Sequence, residues 1–440
     1  MKTIVLFSCC ACLLVNPRIS TAFAPASKLS VRGIRSQAKI CSSPAPGRIR
    51  YAGESHLWSA NEAVNGDILI SGLNKKNSSS GNVNNSDESI ASKDLSAATT
   101  SQPQSTESLQ QSLQENEATP SFPLVLWRFT RPHTLIGSAL AIPSIFLLAA
   151  PTYNSFLTTR TLVALAYAAV PSLLMNLYIT GLNQITDVEI DKINKPNLPI
   201  AKGDLKKSTA IGVVLAALVV SLIMSVCSPV FSTSGLQVAL WGSFVLGTVY
   251  SLPPFRLKRH PLLAAFCIVA VRGTIINAGF YSHALSAAFS ATKEAAAGFG
   301  VLNCLLNDWK CALSSLFFGV FGIVIALMKD VPDAHGDRIF DIRSFTVRIG
   351  QKRVFHTMKN LLIALFGISG GALMKWATMS PTLGATARRG LTGLGCLLAG
   401  YFTNKEAKGV NPEDSGEVYD YYMQLWKLFY LSYLALPLVK

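Results

Sequence analysis

The sequence predicts an all-α polytopic membrane protein with nine transmembrane helices. Half of the 440 residues are hydrophobic and only 14% are charged, and the mean hydropathy is +0.36. The apolar residues occur in long blocks rather than in the stripes of amphipathic soluble helices, and such blocks are typical of membrane spans. A third observation is the basic charge, which is concentrated on alternate loops between the blocks.

The apolar blocks define the predicted spans. A helix needs about 20 residues to cross a bilayer. The seventh and eighth blocks are shorter than this, so a count of eight spans stays open. The nine blocks are residues 135–150, 162–180, 209–227, 236–252, 262–281, 313–328, 361–374, 390–402 and 422–439.

The loop charges indicate the orientation. The formal net charge is +15. With nine spans, eighteen Lys and Arg residues of the core lie on one face and seven on the other. By the positive-inside rule the richer face is cytosolic, or stromal in a plastid. Basic loops between apolar blocks suit anionic lipid or substrate, so no nucleic-acid partner is predicted.

The first 121 residues are predicted to contain targeting signals and a linker rather than a folded domain. Residues 1–22 are typical of a signal peptide, and residues 23–74 begin with a basic, Ser-rich stretch typical of a plastid transit peptide. The two signals in series, with Phe23 after the cleavage point, resemble the presequences of algae with secondary plastids. Secretion with a stalk is the alternative. Residues 75–121 are Ser/Asn/Gln-rich and predicted to be disordered, so residues 122–440 form the membrane domain.

Two acidic clusters lie at the ends of predicted spans on the basic face. Asn183, Asp187 and Asp191 follow the second span at a spacing of four, which places them on one helix face. The second cluster follows the sixth span and contains Asp330, Asp333 and Asp337. Opposed carboxylates of this kind suit Mg²⁺, which takes its remaining ligands from water and substrate phosphates. The alternative is two solvated helix ends with ordinary surface carboxylates.

Basic residues complete the predicted site. Lys258 and Arg259, in a short loop after the fourth span, would neutralise the charge of a departing diphosphate, and Lys195 and Arg128 are weaker candidates. Arg272 lies inside the fifth span, where a charged side chain is expected to face a polar cavity, with Asn277 nearby. Arg272 is predicted to bind a substrate carboxylate, although a structural role is also open.

These motifs resemble those of the UbiA-type intramembrane aromatic prenyltransferases. Within that family the sequence looks like the homogentisate prenyltransferases of plastids and cyanobacteria. The matching stretches are 128–134, 183–196, 329–337, 344–348 and 426–430. The resemblance covers the chain from about residue 122 onward.

The resemblance implies a large central cavity that opens to lipid and holds the prenyl tail. It assigns Mg²⁺ binding to Asp187, Asp191, Asp330, Asp333 and Asp337, with Asn183 assisting. The catalytic candidates are Asp187, Asp191, Lys258 and Arg272. The substrate-binding candidates are Asn183, Lys258, Arg259, Arg272, Asn277 and Arg128.

The implied reaction joins a prenyl diphosphate to homogentisate with loss of CO₂, at the stromal face of a plastid membrane. Phytyl is the favoured donor, for tocopherol. The alternatives are a solanesyl donor, for plastoquinone, and another UbiA-type prenyltransferase with a different aromatic acceptor, such as a chlorophyllide. CDP-alcohol phosphotransferases also place aspartates at a membrane face, but their DG…AR…G run is missing here. A cation transporter would favour carboxylates near the midplane of the membrane, whereas these aspartates lie at the ends of predicted spans.

Overall fold

The computed structural model describes residues 120–440, and all regular structure in that part of the chain is helical. The predicted signal peptide, transit segment and all but the last two linker residues lie outside the described residues and stay predictions. The first described helix begins at Phe122.

Sixteen helices follow one another in the described part. They are α1 Phe122–Phe129, α2 Pro132–Ala149, α3 Thr159–Thr186, α4 Val188–Asn194, α5 Pro199–Lys202, α6 Lys207–Val226, α7 Ser234–Ser251, α8 Pro261–Phe289, α9 Lys293–Ala297, α10 Val301–Asn307, α11 Trp309–Lys329, α12 Ala334–Ile339, α13 Phe345–Ile349, α14 Gln351–Thr378, α15 Leu383–Ala407 and α16 Ser415–Ala435. Short 3₁₀ turns occupy Asn154–Leu157, Leu257–Arg259 and Leu436–Val439.

The long helices coincide with the predicted spans. In residues 120–440, nine helices have at least 18 residues, and each overlaps one of the nine apolar blocks. Six of them are long and apolar enough to cross a membrane, whereas α7, α15 and α16 are not among those six. The membrane-helical fold is therefore confirmed, but the count of nine spans is not. Helices α15 and α16 extend beyond the predicted apolar blocks, and the polar and charged residues in these extensions lower the mean hydropathy of both helices.

The outer surface of the bundle is apolar, as a lipid-facing surface requires. Helix α6 has the highest hydropathy of the candidate spans, yet only 28% of its most apolar window is buried. Leu215, Val219 and Ile223 on this helix are all exposed. An exposed row of this kind is explained by contact with acyl chains rather than water.

A central cavity of about 220 Å³ lies between α2, α3, α7, α8, α11 and α16. We call it the chamber. The remaining long helices stand outside it: α6 packs mainly against α3, and α14 packs mainly against α15. The predicted central cavity is present, but six of the long helices line it rather than all nine.

Helix α8 is irregular where it passes the chamber. It contains π-helical turns at Ala270–Ile275 and Ala284–Phe289, a feature often found at functional sites. A methyl group on Gly273 would lie 2.7 Å from the Cα of Gly319, so α8 and α11 are in very close contact there. Arg272, next to Gly273, lines the chamber.

The loops that the sequence assigned to one face meet at one end of the bundle. Lys258, after α7, donates to Asp187, which follows α3. Lys195, also after α3, donates to Asp333, which follows α11. Ser415, the first residue of α16, donates to the carbonyl of Pro332, next to Asp333. These contacts support the prediction that alternate loops lie on the same face of the membrane.

Candidate active site

The first acidic motif spans a helix break. Helix α3 ends at Thr186, and Asp187 then caps the start of α4 with a φ of −115°. The backbone N–H of Asp191 donates to the carbonyl of Asp187 at 2.8 Å, which preserves the predicted spacing of four across the break. The Asn183 amide donates to Asp187 Oδ2 at 3.1 Å. The three side chains therefore face one region, as predicted.

The second motif has a similar form. Helix α11 ends at Lys329, and a tight turn leads to α12. The backbone N–H of Asp337 donates to the carbonyl of Asp333 at 3.0 Å, so these two carboxylates also lie one turn apart. Asp333 and Asp337 are both buried, which an ordinary solvated helix end would not produce.

A backbone contact joins the two motifs. Asn194, at the end of α4, accepts a hydrogen bond through Oδ1 from the backbone N–H of Gly336 at 3.0 Å. A methyl group on Gly336 would lie 2.2 Å from that same oxygen, so only glycine allows the contact. Neither Asn194 nor Gly336 was among the predicted site residues, because nothing in a single sequence pairs positions that are 142 residues apart.

The motifs enclose a polar cavity of about 60 Å³, which we call the polar compartment. All five predicted metal-binding aspartates line it, and so do Asn183 and Lys258. Its other polar or charged residues are Arg131, Asn194, Lys195, Tyr250, Lys329 and Ser344; of these, Lys195 was a weaker candidate in the sequence.

Two arginines reach the first motif from strained backbone positions. Arg256 donates to Asp187 Oδ1 at 2.9 Å, and Arg131 lies 3.9 Å from Asp191 Oδ2. Both adopt left-handed backbone conformations, with φ of 37° and 51°. Such a conformation costs a residue other than glycine roughly 1 kcal/mol or more, so the surrounding structure must hold both arginines in place.

Burial shifts the ionisation of the site. Burial raises the pKa of Asp191, although Arg131 and Lys195 oppose the shift. Burial, reinforced by neighbouring carboxylates, raises the pKa of Asp337 to about 7. Burial also lowers the pKa of Lys258 to about 8, against the stabilising charge of Asp187. Groups that titrate near neutral pH are more frequent in functional sites than elsewhere.

The donor atoms fit Mg²⁺ shared with a phosphate ligand. In residues 120–440, no three His, Cys, Asp or Glu side chains converge closely enough to hold a metal ion unaided. Asp191 Oδ2 is nevertheless buried without a hydrogen-bond partner, and such an orphaned oxygen needs a ligand or a cation. Because Mg²⁺ commonly binds one or two carboxylates plus phosphate oxygens, the compartment suits it once a diphosphate supplies the rest.

The chamber adjoins the polar compartment directly. Arg131, Asn183, Tyr250 and Lys329 line both cavities. Beyond them the chamber wall is mainly aliphatic and aromatic. A ligand with an anionic head and an apolar tail would match the two cavities end to end.

Arg272 lies in the chamber, as the sequence predicted for an intramembrane arginine. Its guanidinium is 5.0 Å from the ring centroid of Trp426 and 5.8 Å from that of Phe429. Among the described residues no carboxylate forms an ion pair with it. Its charge is therefore supported by aromatic faces, and its N–H donors remain available to a ligand.

Three other predicted residues line neither cavity. Asn277 is fully buried and donates to the backbone carbonyls of Arg272 and Gly273, so its amide braces the π-helical turn. Arg259 and Arg128 are exposed. Arg259 nevertheless lies with Asp187 and Arg256 in a separate pocket on the surface.

Comparisons with known proteins agree on one family. Residues 119–428 match the UbiA prenyltransferase family. Homogentisate phytyltransferase 1 of Arabidopsis thaliana, a chloroplastic protein, is 38% identical over 71% of this chain and 75% of its own length. Homogentisate geranylgeranyltransferase of Hordeum vulgare is 34% identical over 71% and 72%. A solved UbiA homolog from Archaeoglobus fulgidus bound to DMAPP and Mg²⁺ is 15% identical, covers 72% of this chain and 99% of that one, and has a TM-score of 0.46.

Proposed function

This chain belongs to the UbiA prenyltransferase family, and from that premise we propose that it transfers a prenyl group from its diphosphate to homogentisate with loss of CO₂. The observation that carries the proposal is the junction of the two cavities. The polar compartment is lined by carboxylates and cations, and it opens into an apolar chamber. The diphosphate head would bind in the first and the prenyl tail in the second.

Mg²⁺ is the proposed cofactor. It would bind between the diphosphate and Asp187, Asp191, Asp330, Asp333 and Asp337, with Asn183 orienting Asp187. When bound, the ion neutralises charge on the diphosphate oxygens and so favours departure of the leaving group. The hydrogen bond from Asn183 and the contact between Asn194 and Gly336 would keep the two carboxylate rows at a fixed separation.

The cations of the compartment would stabilise the leaving diphosphate. Lys258 is the main candidate, since it lines the compartment and its side chain is only 8% exposed. Charge stabilisation is strongest where water is excluded. Lys195 and Lys329 also line the compartment and could contact the phosphates.

Arg272 is the proposed ligand of the acceptor carboxylate. Its guanidinium faces the chamber against Trp426, outside the polar compartment. A planar guanidinium binds a carboxylate through two parallel hydrogen bonds. This arrangement would place the acceptor ring beside the first carbon of the prenyl chain, where the electron-rich ring attacks the allylic cation.

The proposed donor is phytyl diphosphate, and solanesyl diphosphate is the alternative. The chamber lining on α3 runs from Asn183 to Ser172, which corresponds to a depth of roughly 16 Å at 1.5 Å per residue. A solanesyl tail is more than twice as long as a phytyl tail and would have to leave the chamber. The relatives described above are named for phytyl and geranylgeranyl transfer, which supports the shorter donor.

The proposed location is a plastid membrane, with the polar compartment on the stromal face. The chloroplastic relative and the basic charge of that face support this assignment. An alga with a secondary plastid is the proposed source, on the presequence pattern alone.

The test is an assay of the full chain in detergent or liposomes. Homogentisate is supplied with labelled phytyl, geranylgeranyl or solanesyl diphosphate, with Mg²⁺ or with EDTA. We expect phytyl transfer that needs Mg²⁺ and falls more than about 100-fold in Asp187→Ala and in Asp333→Ala. Glu189→Ala is the matched control, because Glu189 is exposed on the same short helix as Asp191. Full turnover without metal would refute the proposal, and a preference for solanesyl diphosphate would replace the donor.

A further inference from the structure

The proposed reaction moves a proton between two carbon atoms of the acceptor. The ring carbon that gains the prenyl group must lose its hydrogen, and the side-chain carbon that loses CO₂ must gain one. No proton is consumed or released overall. A base that takes up the first proton could therefore supply the second.

The chamber wall offers few groups for this task. In the described part of the chain, its ionisable residues are Arg131, His133, Tyr250, Cys267, Arg272, Lys329 and Tyr422. No Asp or Glu among residues 120–440 lines the chamber. Arginine and lysine are ordinarily protonated, and tyrosine and cysteine are ordinarily acids. His133 is the one imidazole among these lining residues, and a neutral imidazole can accept a proton at one ring nitrogen and give it back.

The backbone around His133 is held firmly. Pro132 occupies the first turn of α2, and the Tyr430 hydroxyl donates to the carbonyl of His133 at 2.7 Å. The next residue, Thr134, donates to Asn176 Oδ1 on α3 at 3.1 Å. These contacts fix the direction in which the imidazole leaves the helix.

The imidazole of His133 lies beside the proposed acceptor site. Its ring packs edge-on against Trp426 at 5.2 Å between centroids, and Arg272 lies 5.0 Å from the same indole. The two ring nitrogens form no hydrogen bond with any residue of 120–440. A small aromatic acid held by Arg272 would therefore have its ring within reach of an unengaged imidazole.

We propose that His133 is a catalytic residue that relays this proton, an inference that rests on the proposed function. The ring carbon forms a bond to the first prenyl carbon, while the carbon–oxygen bond to the diphosphate breaks and its electron pair leaves with the diphosphate. One imidazole nitrogen then takes the proton of that ring carbon. The side chain loses CO₂, the electron pair stays on the methylene carbon, and this carbon takes the proton from the imidazole. His133 ends as it began.

The test follows deuterium from the ring to the new methyl group. The full chain in liposomes receives ring-deuterated homogentisate in ordinary water, with the prenyl diphosphate it uses. Wild type, His133→Gln and His133→Asn are compared, since both amides form hydrogen bonds but neither take up nor release a proton near neutral pH. His356→Gln is the control, because His356 is exposed on α14 and lines neither cavity.

We expect the wild type and the control to place deuterium in the methyl group of the product. Both His133 variants should lose that label, accumulate prenylated product that keeps its carboxylate, and turn over about 100-fold more slowly. Folding is checked through Mg²⁺-dependent binding of the prenyl diphosphate, which does not depend on the proton relay.

The relay is overturned if the wild type leaves no deuterium in the methyl group. It is also overturned if folded variants keep the wild-type label and product ratio, even at a reduced rate. That second pattern would assign the proton to the departing diphosphate and leave His133 a structural part of the wall. If the wild type prenylates no homogentisate at all, the proposed function fails and the relay fails with it.

Discussion

The contact between Asn194 and Gly336 predicts an unusually large effect for one methyl group. In Gly336→Ala the new Cβ would lie 2.2 Å from Asn194 Oδ1, far inside van der Waals contact. Either α12 moves away from α4 or the Asn194 side chain turns out and gives up its hydrogen bond. Each response separates the two carboxylate rows that are proposed to share the metal and the diphosphate.

The size of the effect follows from the packing. Inserting a methyl group into a filled site costs roughly 1–3 kcal/mol, and a lost hydrogen bond adds about 1 kcal/mol. If the combined cost of about 2–4 kcal/mol falls on the bound state, kcat/KM for the prenyl diphosphate should drop about 30- to 900-fold at 1.36 kcal/mol per tenfold change. The Mg²⁺ concentration for half-maximal activity should rise in parallel.

The assay compares four proteins at varied donor and Mg²⁺ concentrations: wild type, Gly336→Ala, Asn194→Ala and the double variant. Because Asn194→Ala removes the clashing oxygen, the double variant should be no worse than Asn194→Ala alone, a non-additive result expected for residues in contact. Gly371→Ala is the matched control, since its added methyl group meets nothing within 4 Å. Wild-type kcat/KM in Gly336→Ala, or additive effects in the double variant, would refute the argument.

Three further predictions concern single groups of the site. Because the pKa of Lys258 is lowered to about 8, its side chain loses its charge as the pH rises through 8. The KM for the prenyl diphosphate should then increase in the wild type but not in Lys258→Arg, and pH–rate profiles of both proteins will measure this. Because the pKa of Asp337 is raised to about 7, protons should compete with Mg²⁺ below that pH, so Mg²⁺ affinity should increase from pH 6 to 8, and a flat titration would contradict this. Arg272→Lys should raise KM for homogentisate and leave KM for the prenyl diphosphate unchanged; the opposite pattern would move Arg272 to the donor site.

The helices and the two acidic motifs could be predicted from the sequence, because both depend on local patterns. Apolar blocks reveal where a chain can cross a bilayer, and a spacing of four places Asn183, Asp187 and Asp191 on one face whether or not the helix is continuous. The break at Asp187 left that spacing intact. The count of nine spans is not confirmed, and six of the long helices rather than nine line the chamber. Which helices line a cavity depends on how they pack against each other, and local patterns do not show this.

The rest of the site could not be predicted, because it depends on tertiary contacts. Arg131 and Arg256 resemble ordinary basic loop residues in the sequence, yet each turns toward an aspartate from a left-handed backbone position. Arg259 is adjacent to Lys258 in the same loop but points to solvent. A basic loop near a phosphate site indicates that some cation will contact the ligand, and only the backbone direction decides which one.

The free-energy cost of placing Arg272 inside a span indicates that an anionic ligand binds near it. A charged residue in the middle of a span costs about 2.5–3.5 kcal/mol on insertion scales. The structure supplies part of the compensation through Trp426 and Phe429, at 5.0 Å and 5.8 Å, and such contacts contribute about 0.5–2 kcal/mol each. Aromatic faces stabilise the charge but accept no conventional hydrogen bonds from the five N–H donors of the guanidinium. An anionic group that enters the chamber would supply that acceptor, and a small aromatic acid beside Trp426 would do so where the prenyl cation forms.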